Sequence, residues 1–398
     1  MTFREELLHE LTCDILPFWE GCADHLNGGF IGRIDGLGLR HPEADKGAIL
    51  NGRILWAFSA AYGATRNTTY LVYASRAARY LIDRFIDRDY GGVYWSLDCK
   101  GNPKETKKQF YALGFAIYGL SEYARITAGI RENGLVPSEE ALEKAISLFG
   151  DIEEHSFDTV GGGYLEALSR DWRPLADMRL SEKDGNFSKT MNTHLHIIEP
   201  YANLYKIWKS PLLHDRIRNL LDIFFCKIEN PVNHHLGLFF DDGWHVQDGA
   251  ESYGHDIEAS WLLLETAQIL GDGDMLGKAK KHTLDIAEAA LQGLQKDGSM
   301  INGRRADGSP DRDRDWWVQA ETVIGTLYLA RFHDIPEGFS MSGHTFDYIM
   351  TRIRDYDNGE WIWSIRADGS RNLSDDKTGF WKCPYHNSRM CMVASSLL

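Results

Sequence analysis

The chain has 398 residues, of which 43% are hydrophobic and 25% are charged, and its net charge is −15. This composition is typical of a folded globular protein, and the negative charge disfavours nucleic acid or an anionic membrane as a partner. No apolar run approaches the length of a transmembrane helix. The length allows two or three ordinary domains or one large closed architecture.

The N-terminus and the cysteines indicate a cytoplasmic protein. The first twenty residues, MTFREELLHELTCDILPFWE, alternate charged and apolar residues and lack the continuous apolar stretch of a signal peptide. The six cysteines lie far apart and form no CxxC pair. In a chain of this size, such spacing predicts reduced thiols rather than disulfides or a metal site.

A short stretch of glycine and aromatic residues recurs six times, at intervals of roughly 60 to 75 residues. Glycine beside alternating aromatic or β-branched residues is typical of a turn that leads into a short strand. Each interval has room for two helices and their loops. The copies begin at Asn27, Tyr90, Gly161, Gly237, Lys296 and Asn358.

The segments between these turns carry apolar residues at helical spacing and predict twelve helices. An open array of repeats has atypical polar ends, whereas the last helix here is as rich in aromatic residues as the middle ones. We therefore predict an all-α fold, an (α/α)6 barrel of six helical hairpins, as one domain over residues 1–398. Short β-hairpins are expected in the loops at its mouth. The predicted helices cover residues 3–22, 48–64, 70–86, 107–128, 138–155, 188–208, 211–228, 254–270, 273–293, 315–333, 337–353 and 384–397.

Alternate helices open with unusual polar and aromatic side chains, which a closed barrel would bring together at its mouth. The pairs Asn192–His196, His255–Glu258 and Trp317–Glu321 each share one helical face. A single pair of this kind is more often an ordinary surface or core feature. Three pairs at corresponding places in a repeat indicate one functional site. Six other histidines fall outside the pattern and are predicted at the surface: His9, His25, His214, His282, His333 and His344.

The stretch NTHLHIIEP, residues 192–200, places two histidines two residues apart and first suggests a metal clamp. On a strand both would share a face, but on a helix they lie about 200° apart. Because the segment is predicted to be helical, His194 and His196 cannot both address one site. We therefore expect no metal here, with His196 facing inward and His194 engaged in packing or structural hydrogen bonds.

Histidines from different helices suit proton transfer at a carbon next to a carbonyl, because imidazole titrates near neutral pH. Two of them could stand on opposite faces of one substrate carbon, while Arg53 stabilises a developing oxyanion. Glycoside hydrolysis needs a carboxylic acid and a carboxylate, which here would be Glu258 and Glu321. A glycoside hydrolase and a non-catalytic sugar-binding protein remain the alternatives from other functional classes.

Four stretches, NTHLHIIEPYANLY, SYGHDIEASWLLLE, WWVQAE and PYHNSRMCM, closely resemble the cellobiose 2-epimerases of the N-acylglucosamine 2-epimerase superfamily. The resemblance runs from GGF near residue 28 to the C-terminus. It implies an (α/α)6 barrel and chemistry without a metal or nucleotide cofactor. It also implies reversible inversion at C2 of the reducing-end glucose of a β-1,4-linked disaccharide, such as cellobiose to glucosyl-mannose or lactose to epilactose. Monosaccharide 2-epimerases and aldose–ketose isomerases acting on mannose, glucose or fructose belong to the same superfamily and stay as the alternative.

The resemblance also implies roles for individual residues. His255 and His386 are the implied acid/base catalysts, one removing the C2 proton and the other returning it to the opposite face of an enediolate, and His196 is a third implied catalytic histidine. The implied partner is a disaccharide, bound by a monomer or weak homodimer. The implied substrate-binding residues are Arg53, Tyr111, Asp184, Asn192, Glu258, Trp261, Trp317, Glu321 and Trp381.

Within this set, the resemblance assigns the polar groups at the reacting centre, supporting carboxylates and stacking platforms. Trp317 and Trp381 are the implied stacking platforms, and Asp184 in the loop RLSEKDGNFSK is the implied contact near the distal sugar. The supporting hydrogen-bond partners are Glu258 and Glu321. The implied ligands of the substrate oxygens are Arg53, Tyr111, Asn192 and His196.

Overall fold

The computed structural model describes residues 1–182 and 184–398. Its described part contains twelve helices, as predicted. The first, α1, consists of three consecutive segments, Phe3–Glu10, Leu11–Ile15 and Leu16–Glu20. The others are α2 (Ala48–Thr65), α3 (Thr68–Tyr80), α4 (Phe110–Thr127), α5 (Ser138–His155), α6 (Met191–Tyr205), α7 (Pro211–Ile223), α8 (Tyr253–Leu270), α9 (Gly273–Ala290), α10 (Trp316–Phe332), α11 (Glu337–Tyr348) and α12 (Tyr385–Leu397). Short π or 3₁₀ turns extend four outer helices: Leu81–Phe85, Phe224–Ile228, Leu291–Gly293 and Ile349–Ile353.

The even-numbered helices form a closed inner ring. Helix α2 packs against α4, and the contacts continue through α6, α8 and α10 to α12, which packs back against α2. Each odd-numbered helix lies outside this ring, with α3 packed on α2, α5 on α4, α7 on α6, α9 on α8, α11 on α10 and α1 on α12. This arrangement confirms the predicted (α/α)6 barrel.

Burial patterns follow from these two positions. The outer helix α5 buries Ala141, Ala145, Leu148 and Ile152, which lie on one face. The inner helix α8 has neighbours on every side and buries residues all round. One hydrophobic cluster extends from Leu7 to Ala394 and joins both rings. Among the described helices, none has both the length and the apolar character needed to cross a membrane.

Short strands confirm the predicted β-structure in the loops. The strands are β1 (Lys46–Gly47), β2 (Ser96–Leu97), β3 (Pro103–Glu105), β4 (Lys108–Gln109), β5 (Ala167–Leu168), β6 (Lys189–Thr190), β7 (Phe239–Phe240), β8 (Glu251–Ser252), β9 (Gly303–Arg304), β10 (Pro310–Asp311), β11 (Arg314–Asp315) and β12 (Ser364–Ile365). The strand before each of five inner helices pairs antiparallel with the following loop, as β1–β2, β4–β5, β6–β7, β8–β9 and β11–β12. An Ile34–Thr378 bridge completes the ring. All six inner helices therefore begin at the same end of the barrel. Two of them, α4 and α6, start later than predicted because β4 and β6 use the preceding residues.

The turns after the outer helices share one geometry, closed by antiparallel bridges such as Ala23–Phe30 and Ile86–Val93. In the fourth turn the bridge is Glu229–Leu236, so the turn is the segment 230–235, NPVNHH. The sequence prediction that this copy begins at Gly237 is therefore wrong. The glycine-aromatic stretch there forms β7, and histidines occupy the turn where other copies have glycines.

Buried lysines hold four of these turns against the strands that follow them. Their side chains are inaccessible to solvent, and each Nζ lies within hydrogen-bond distance of an aspartate. Removing one partner of a buried pair typically costs about 3–5 kcal/mol. These pairs therefore fix the loops at the mouth of the barrel. They are Lys46–Asp24 at 2.7 Å, Lys108–Asp87 at 2.9 Å, Lys189–Asp158 at 2.7 Å and Lys377–Asp355 at 2.6 Å.

Candidate active site

A cavity of about 190 Å³ lies at the end of the barrel where the inner helices begin. Every inner helix contributes to its wall, because polar or aromatic residues occupy the first turns of these helices. Nine of the residues proposed from the sequence meet here, although they come from six separate parts of the chain. The cavity is lined by Arg53, Tyr111, Asn192, His196, His255, Glu258, Trp316, Trp317, Trp363, Trp381 and His386.

His386, on α12, is held by a carboxylate behind it. Its Nδ1 lies 2.6 Å from Oε1 of Glu321. Because a carboxylate only accepts hydrogen bonds, Nδ1 carries the proton and Nε2 keeps its lone pair. Burial lowers the pKa of His386 well below its usual value, and the nearby cations Arg53 and Arg389 lower it further. His386 is therefore a neutral imidazole with one nitrogen free to accept a proton.

His255, on α8, stands near the same tryptophan as His386. The centroid of its ring lies 4.8 Å from that of Trp317, and the His386 ring lies 5.6 Å from Trp317. Its Nδ1 is 2.8 Å from the hydroxyl of Ser252, the residue that caps the helix. Burial, with a contribution from the neighbouring His196, lowers the pKa of His255 to about 3. Two neutral imidazoles therefore flank one indole ring.

The third histidine of the cavity, His196, lies on α6 and packs edge-on against Tyr111 with ring centroids 5.0 Å apart. Its Nδ1 is 3.1 Å from Oε2 of Glu199, one helical turn further along. His194 lies elsewhere, with Nδ1 2.6 Å from the carbonyl of Thr190 and Nε2 accepting from the backbone N–H of Tyr164. The expectation that only one histidine of this stretch faces the site is confirmed.

Another buried acid fixes the start of α6. Oε1 of Glu166 accepts from the backbone N–H and hydroxyl of Thr190, and Oε2 accepts from the hydroxyl of Thr193. The Thr190 hydroxyl in turn accepts from the backbone N–H of Thr193 and caps the helix. The helix that carries Asn192 and His196 is therefore rigidly placed.

Beside and beneath the cavity lies a group that we call the carboxylate layer: Glu199, Glu258, Glu321 and Arg389, of which Glu258 also lines the cavity. The Arg389 guanidinium donates to all three carboxylates, with Nη2 2.6 Å from Glu258 and 2.7 Å from Glu321. Glu258, Glu321 and His386 could also hold a metal ion by their spacing. In this fold the cation between the two carboxylates is Arg389.

The charges in this layer shift the pKa values of two of its carboxyl groups in opposite directions. Burial raises the pKa of Glu258 to about 7, assisted by the nearby Glu321 carboxylate. Burial acts the same way on Glu199, but Arg389 and His196 outweigh it and hold the pKa of Glu199 at about 2. The hydroxyl of Tyr385 also donates to Glu199. Glu199 is therefore a fixed anion beneath His196.

Arg53 brings a fixed positive charge to the cavity. Its guanidinium lies 4.1 Å from the ring centre of Phe115 and 4.6 Å from that of Tyr385, and it donates to the hydroxyl of Tyr111 at 2.8 Å. Three buried polar atoms of cavity residues find no hydrogen-bond partner among the described residues: Arg53 Nε, Asn192 Oδ1 and Glu258 Oε2. Unsatisfied buried polar groups are costly, so a polar ligand would supply what they lack.

Three of the proposed residues do not line this cavity. Trp261 and Glu321 lie behind it, with the Trp261 indole donating to Oε2 of Glu321 at 2.9 Å. Asp184 lines an adjoining cavity of about 240 Å³ that shares Asn192 and His255 with the first. Its Oδ2 accepts from the backbone N–H and hydroxyl of Ser181.

The structure adds residues that the sequence prediction left out of the site. Trp363 lines the cavity, and its carbonyl accepts from the backbone N–H of Trp316, the first residue of α10. It belongs to the sixth glycine-aromatic stretch, and the pattern of that stretch predicts only a turn and a short strand. The sequence does indicate Arg389 as a site residue, because it follows His386 by three residues on the same helical face.

Comparisons with known proteins agree with this geometry. The family model N-acylglucosamine 2-epimerase (GlcNAc 2-epimerase) matches residues 29–389. The chain belongs to the N-acylglucosamine 2-epimerase family. It is 52% identical to a cellobiose 2-epimerase of Bacteroides fragilis over 391 residues, which cover 98% of this chain and 97% of that protein. The solved structure of cellobiose 2-epimerase from Bacillus thermoamylovorans superposes with a TM-score of 0.94 at 37% identity, covering all of both chains.

A more distant relative is named for a different activity. A D-mannose isomerase of Marinomonas mediterranea is 23% identical over 390 residues, covering 94% of this chain and 92% of that protein. This identity is less than half of that to the Bacteroides fragilis enzyme.

Proposed function

We propose that this protein is a cellobiose 2-epimerase, an isomerase that inverts C2 of the reducing-end glucose of a β-1,4-linked disaccharide. Cellobiose would give glucosyl-mannose, and lactose would give epilactose. One observation carries the proposal: two neutral imidazoles, those of the half-buried His255 and the buried His386, come from different helices and lie beside the indole of Trp317. The similarity to cellobiose 2-epimerases over nearly the whole chain supports it.

The reaction begins with the sugar ring open, so that C1 is an aldehyde. One imidazole takes the proton from C2, the C–H electron pair forms the C1–C2 double bond, and O1 becomes the oxyanion of an enediolate. The other imidazole takes up a proton from solvent water and gives it to C2 from the opposite face. The electron pair on the enediolate oxygen restores the C1 carbonyl, and the first imidazole releases its proton to solvent. The sugar then closes its ring, with C2 inverted and no net change in atoms or electrons. His386, which has a free Nε2, also assists ring opening.

The developing negative charge needs a nearby cation or hydrogen-bond donor. Arg53 supplies a permanent positive charge, and the Tyr111 hydroxyl and His196 lie around it in the same wall. Such preorganised groups stabilise an oxyanion without reorganising during the reaction. Asn192 Oδ1 and Glu258 Oε2 are free to accept hydrogen bonds from sugar hydroxyls.

The aromatic residues and the adjoining cavity would hold the remainder of the substrate. Trp317, Trp381, Trp316 and Trp363 give the site flat apolar walls on which sugar rings stack. The adjoining cavity with Asp184 extends from Asn192 and His255 and offers space for the distal sugar. Glu321 and Trp261 act through His386 and Arg389 rather than by direct contact with sugar.

The main alternative is a monosaccharide 2-epimerase or an aldose–ketose isomerase of the same family, which acts on glucose, mannose or fructose. Incubation with cellobiose, glucose and mannose in parallel, followed by chromatographic separation of the products, distinguishes these activities. We expect glucosyl-mannose from cellobiose at a kcat/KM at least ten-fold above that for either monosaccharide. A higher kcat/KM for mannose, or fructose as the main product, would overturn the disaccharide assignment.

Glycoside hydrolysis by Glu258 and Glu321 is disfavoured by their contacts. Oε1 of each residue binds the same Arg389 nitrogen, and Glu321 is not among the residues that line the cavity. A hydrolase needs its two carboxyl groups on opposite sides of the scissile bond, with both able to reach the substrate. Release of free glucose from cellobiose would contradict this reasoning.

The remaining expectations concern the setting in which the enzyme works. We propose that the epimerase acts in the cytoplasm as one domain, as a monomer or weak homodimer, with no metal cofactor and no nucleic acid or membrane partner. The strong negative charge and the well-separated cysteines support this proposal. Treatment with EDTA is expected to leave turnover unchanged, whereas a loss that zinc restores would overturn the metal-free chemistry.

A further inference from the structure

The fourth turn, 230–235, differs from the other turns that follow outer helices. The fifth position of such a turn adopts a left-handed backbone, and it is glycine at Gly28, Gly91, Gly162 and Gly359. The fourth turn has His234 there, with φ of 61°. A left-handed conformation costs a non-glycine residue roughly 1–2 kcal/mol. The backbone geometry favours glycine and therefore does not explain why histidine occupies this position.

The side chain of His234 belongs to a cluster of metal-binding residue types, which we call the fourth-turn cluster: Glu229, His234, His282 and Asp285. The two oxygens of Glu229 each contact an imidazole, Oε1 with Nδ1 of His234 at 2.7 Å and Oε2 with Nδ1 of His282 at 2.6 Å. Possible ligand atoms of Glu229, His234 and Asp285 lie within 4.8 Å of one another, a set that does not include His282. His282 and Asp285 are three residues apart on α9 and share a face.

The charges of this cluster distinguish it further from the other turns. In four turns a buried lysine neutralises the turn aspartate, but at the corresponding positions the fourth turn has Asn230 and Glu251. Glu229 is buried at a position that is Ala23, Ile86 or Phe157 in the first three turns. The Asp285 carboxylate has no hydrogen bond or ion pair to any described residue. Two carboxylates are therefore close together without the buried lysine that four of the other turns have.

From this combination we propose that the fourth-turn cluster binds a divalent transition-metal ion of the zinc type. Glu229, His234 and Asp285 offer one imidazole nitrogen and two carboxylate oxygens, a ligand set that suits zinc with bonds of about 2.0–2.2 Å, and His282 or a water molecule would complete the tetrahedron. Such bonds place neighbouring ligand atoms somewhat more than 3 Å apart, so the contact of Glu229 with His234 must lengthen slightly. His282, which was predicted at the surface, is half-buried and contacts Glu229.

The site would be structural rather than catalytic. Glu229 and His234 belong to the loop that leads from α7 towards α8, whereas His282 and Asp285 lie on the outer helix α9. None of the four lines the active-site cavity. A metal bound by Glu229, His234 and Asp285 would fasten the fourth turn to the outer helix α9, whereas buried lysines fasten four of the other turns. It binds the folded state only and therefore raises its stability.

Isothermal titration of tag-free, EDTA-treated full-length protein with zinc chloride tests the proposal. We expect one zinc ion per chain, and a rise of roughly 3 °C or more in the unfolding midpoint at saturating zinc. The variants His234→Gly and Asp285→Asn should each bind zinc at least about ten-fold more weakly. His234→Gly restores the residue of the other turns, so it should fold normally and keep its turnover within two-fold.

The control variant is His245→Asn, which removes an exposed histidine paired with Asp241 and should leave zinc binding unchanged. The proposal is overturned if the wild-type protein takes up no zinc, or if His234→Gly binds zinc as tightly as wild type. A loss of zinc binding in His245→Asn but not in His234→Gly would place the ion elsewhere and would also overturn it. Turnover that depends on zinc would instead contradict the metal-free chemistry of the proposed function.

Discussion

The active site has two parts with different roles: the residues that line the cavity, and the carboxylate layer behind them. Cavity residues such as Asn192 and Arg53 keep polar atoms without a partner in the described part of the chain. The deeper residues are tightly connected, since one guanidinium, that of Arg389, joins three carboxylates. The cavity residues, which we call the upper group, are thus available to a ligand. The carboxylate layer, which we call the lower group, fixes their positions. Substitutions in the two groups should therefore have different consequences for turnover and for stability.

The largest effect is expected in the upper group. His255→Asn and His386→Asn each remove a proposed acid/base group, and the turnover number for cellobiose should fall by about 10⁴-fold. The midpoint of urea unfolding should stay close to that of wild type, because Asn keeps a hydrogen-bonding side chain. His214→Asn on the outer helix α7 is the control and should keep full turnover. Unchanged turnover in either active-site variant would contradict the two-base scheme.

The lower group should affect turnover through the histidine that it holds. Glu321→Gln replaces the anion that fixes the proton on Nδ1 of His386. We expect kcat for cellobiose to fall by about 10²-fold while KM changes little, since the carboxylate orients a base without contacting sugar. Steady-state kinetics with cellobiose provides the measurement.

The matched variant is Trp261→Phe, which removes the hydrogen bond to the other oxygen of Glu321 and keeps an aromatic ring beside Arg389. It should lower kcat by no more than about three-fold. An equal loss in both variants would mean that Glu321 serves only to hold the fold together.

A smaller effect is expected from the aromatic wall. Trp363→Ala removes one flat surface of the cavity but no titratable group. Loss of a stacking contact worth about 1 kcal/mol should raise KM for cellobiose roughly five-fold and leave kcat within about two-fold. A kcat reduced as strongly as in His386→Asn would show that Trp363 positions the catalytic groups instead.

The smallest effect is expected in the dependence of turnover on pH. Burial lowers the pKa of both His255 and His386 below the ordinary histidine value near 6.5, so each remains unprotonated and able to act as a base at pH 6. As the pH is lowered from 8, protonation of Glu258 near pH 7 alters one sugar contact, so kcat/KM for cellobiose should fall by no more than about three-fold to pH 6 and decline steeply only in more acidic solution. A steep decline of ten-fold or more centred near pH 6.5 would show that the pKa values of the catalytic imidazoles are not lowered.

Most of the fold could be predicted because helix periodicity and the glycine turns are local features. The limits of α5, Ser138–His155, agree with the prediction, since Pro137 precedes the helix and charged residues flank its apolar face. The starts of α4 and α6 were predicted too early. Strand pairing between distant loops decides those boundaries, and no local pattern reveals it. The fourth turn was misplaced because it lacks the glycines that identify the others.

The upper group of the site was predictable for a related reason. Residues such as His196, His255 and Trp317 recur at equivalent places in the repeat, so the barrel must bring them together. Two members of the lower group, Glu258 and Glu321, follow from the same helical pairs, whereas the ion pair of Glu199 with Arg389 is a contact across the ring that helical spacing does not determine. Trp363 was overlooked because an aromatic residue beside a turn has the same pattern whether it lines a cavity or fills a core.

The central claim, proton transfer at C2 between two bases on opposite faces, is tested most directly by reaction of the wild-type enzyme with cellobiose in D₂O. Proton NMR at low conversion reports the hydrogen at C2 of both sugars. The account predicts that the glucosyl-mannose formed carries deuterium at C2, while the unreacted cellobiose keeps its protium. Product that retains protium at C2, or cellobiose that exchanges as fast as product appears, would contradict it.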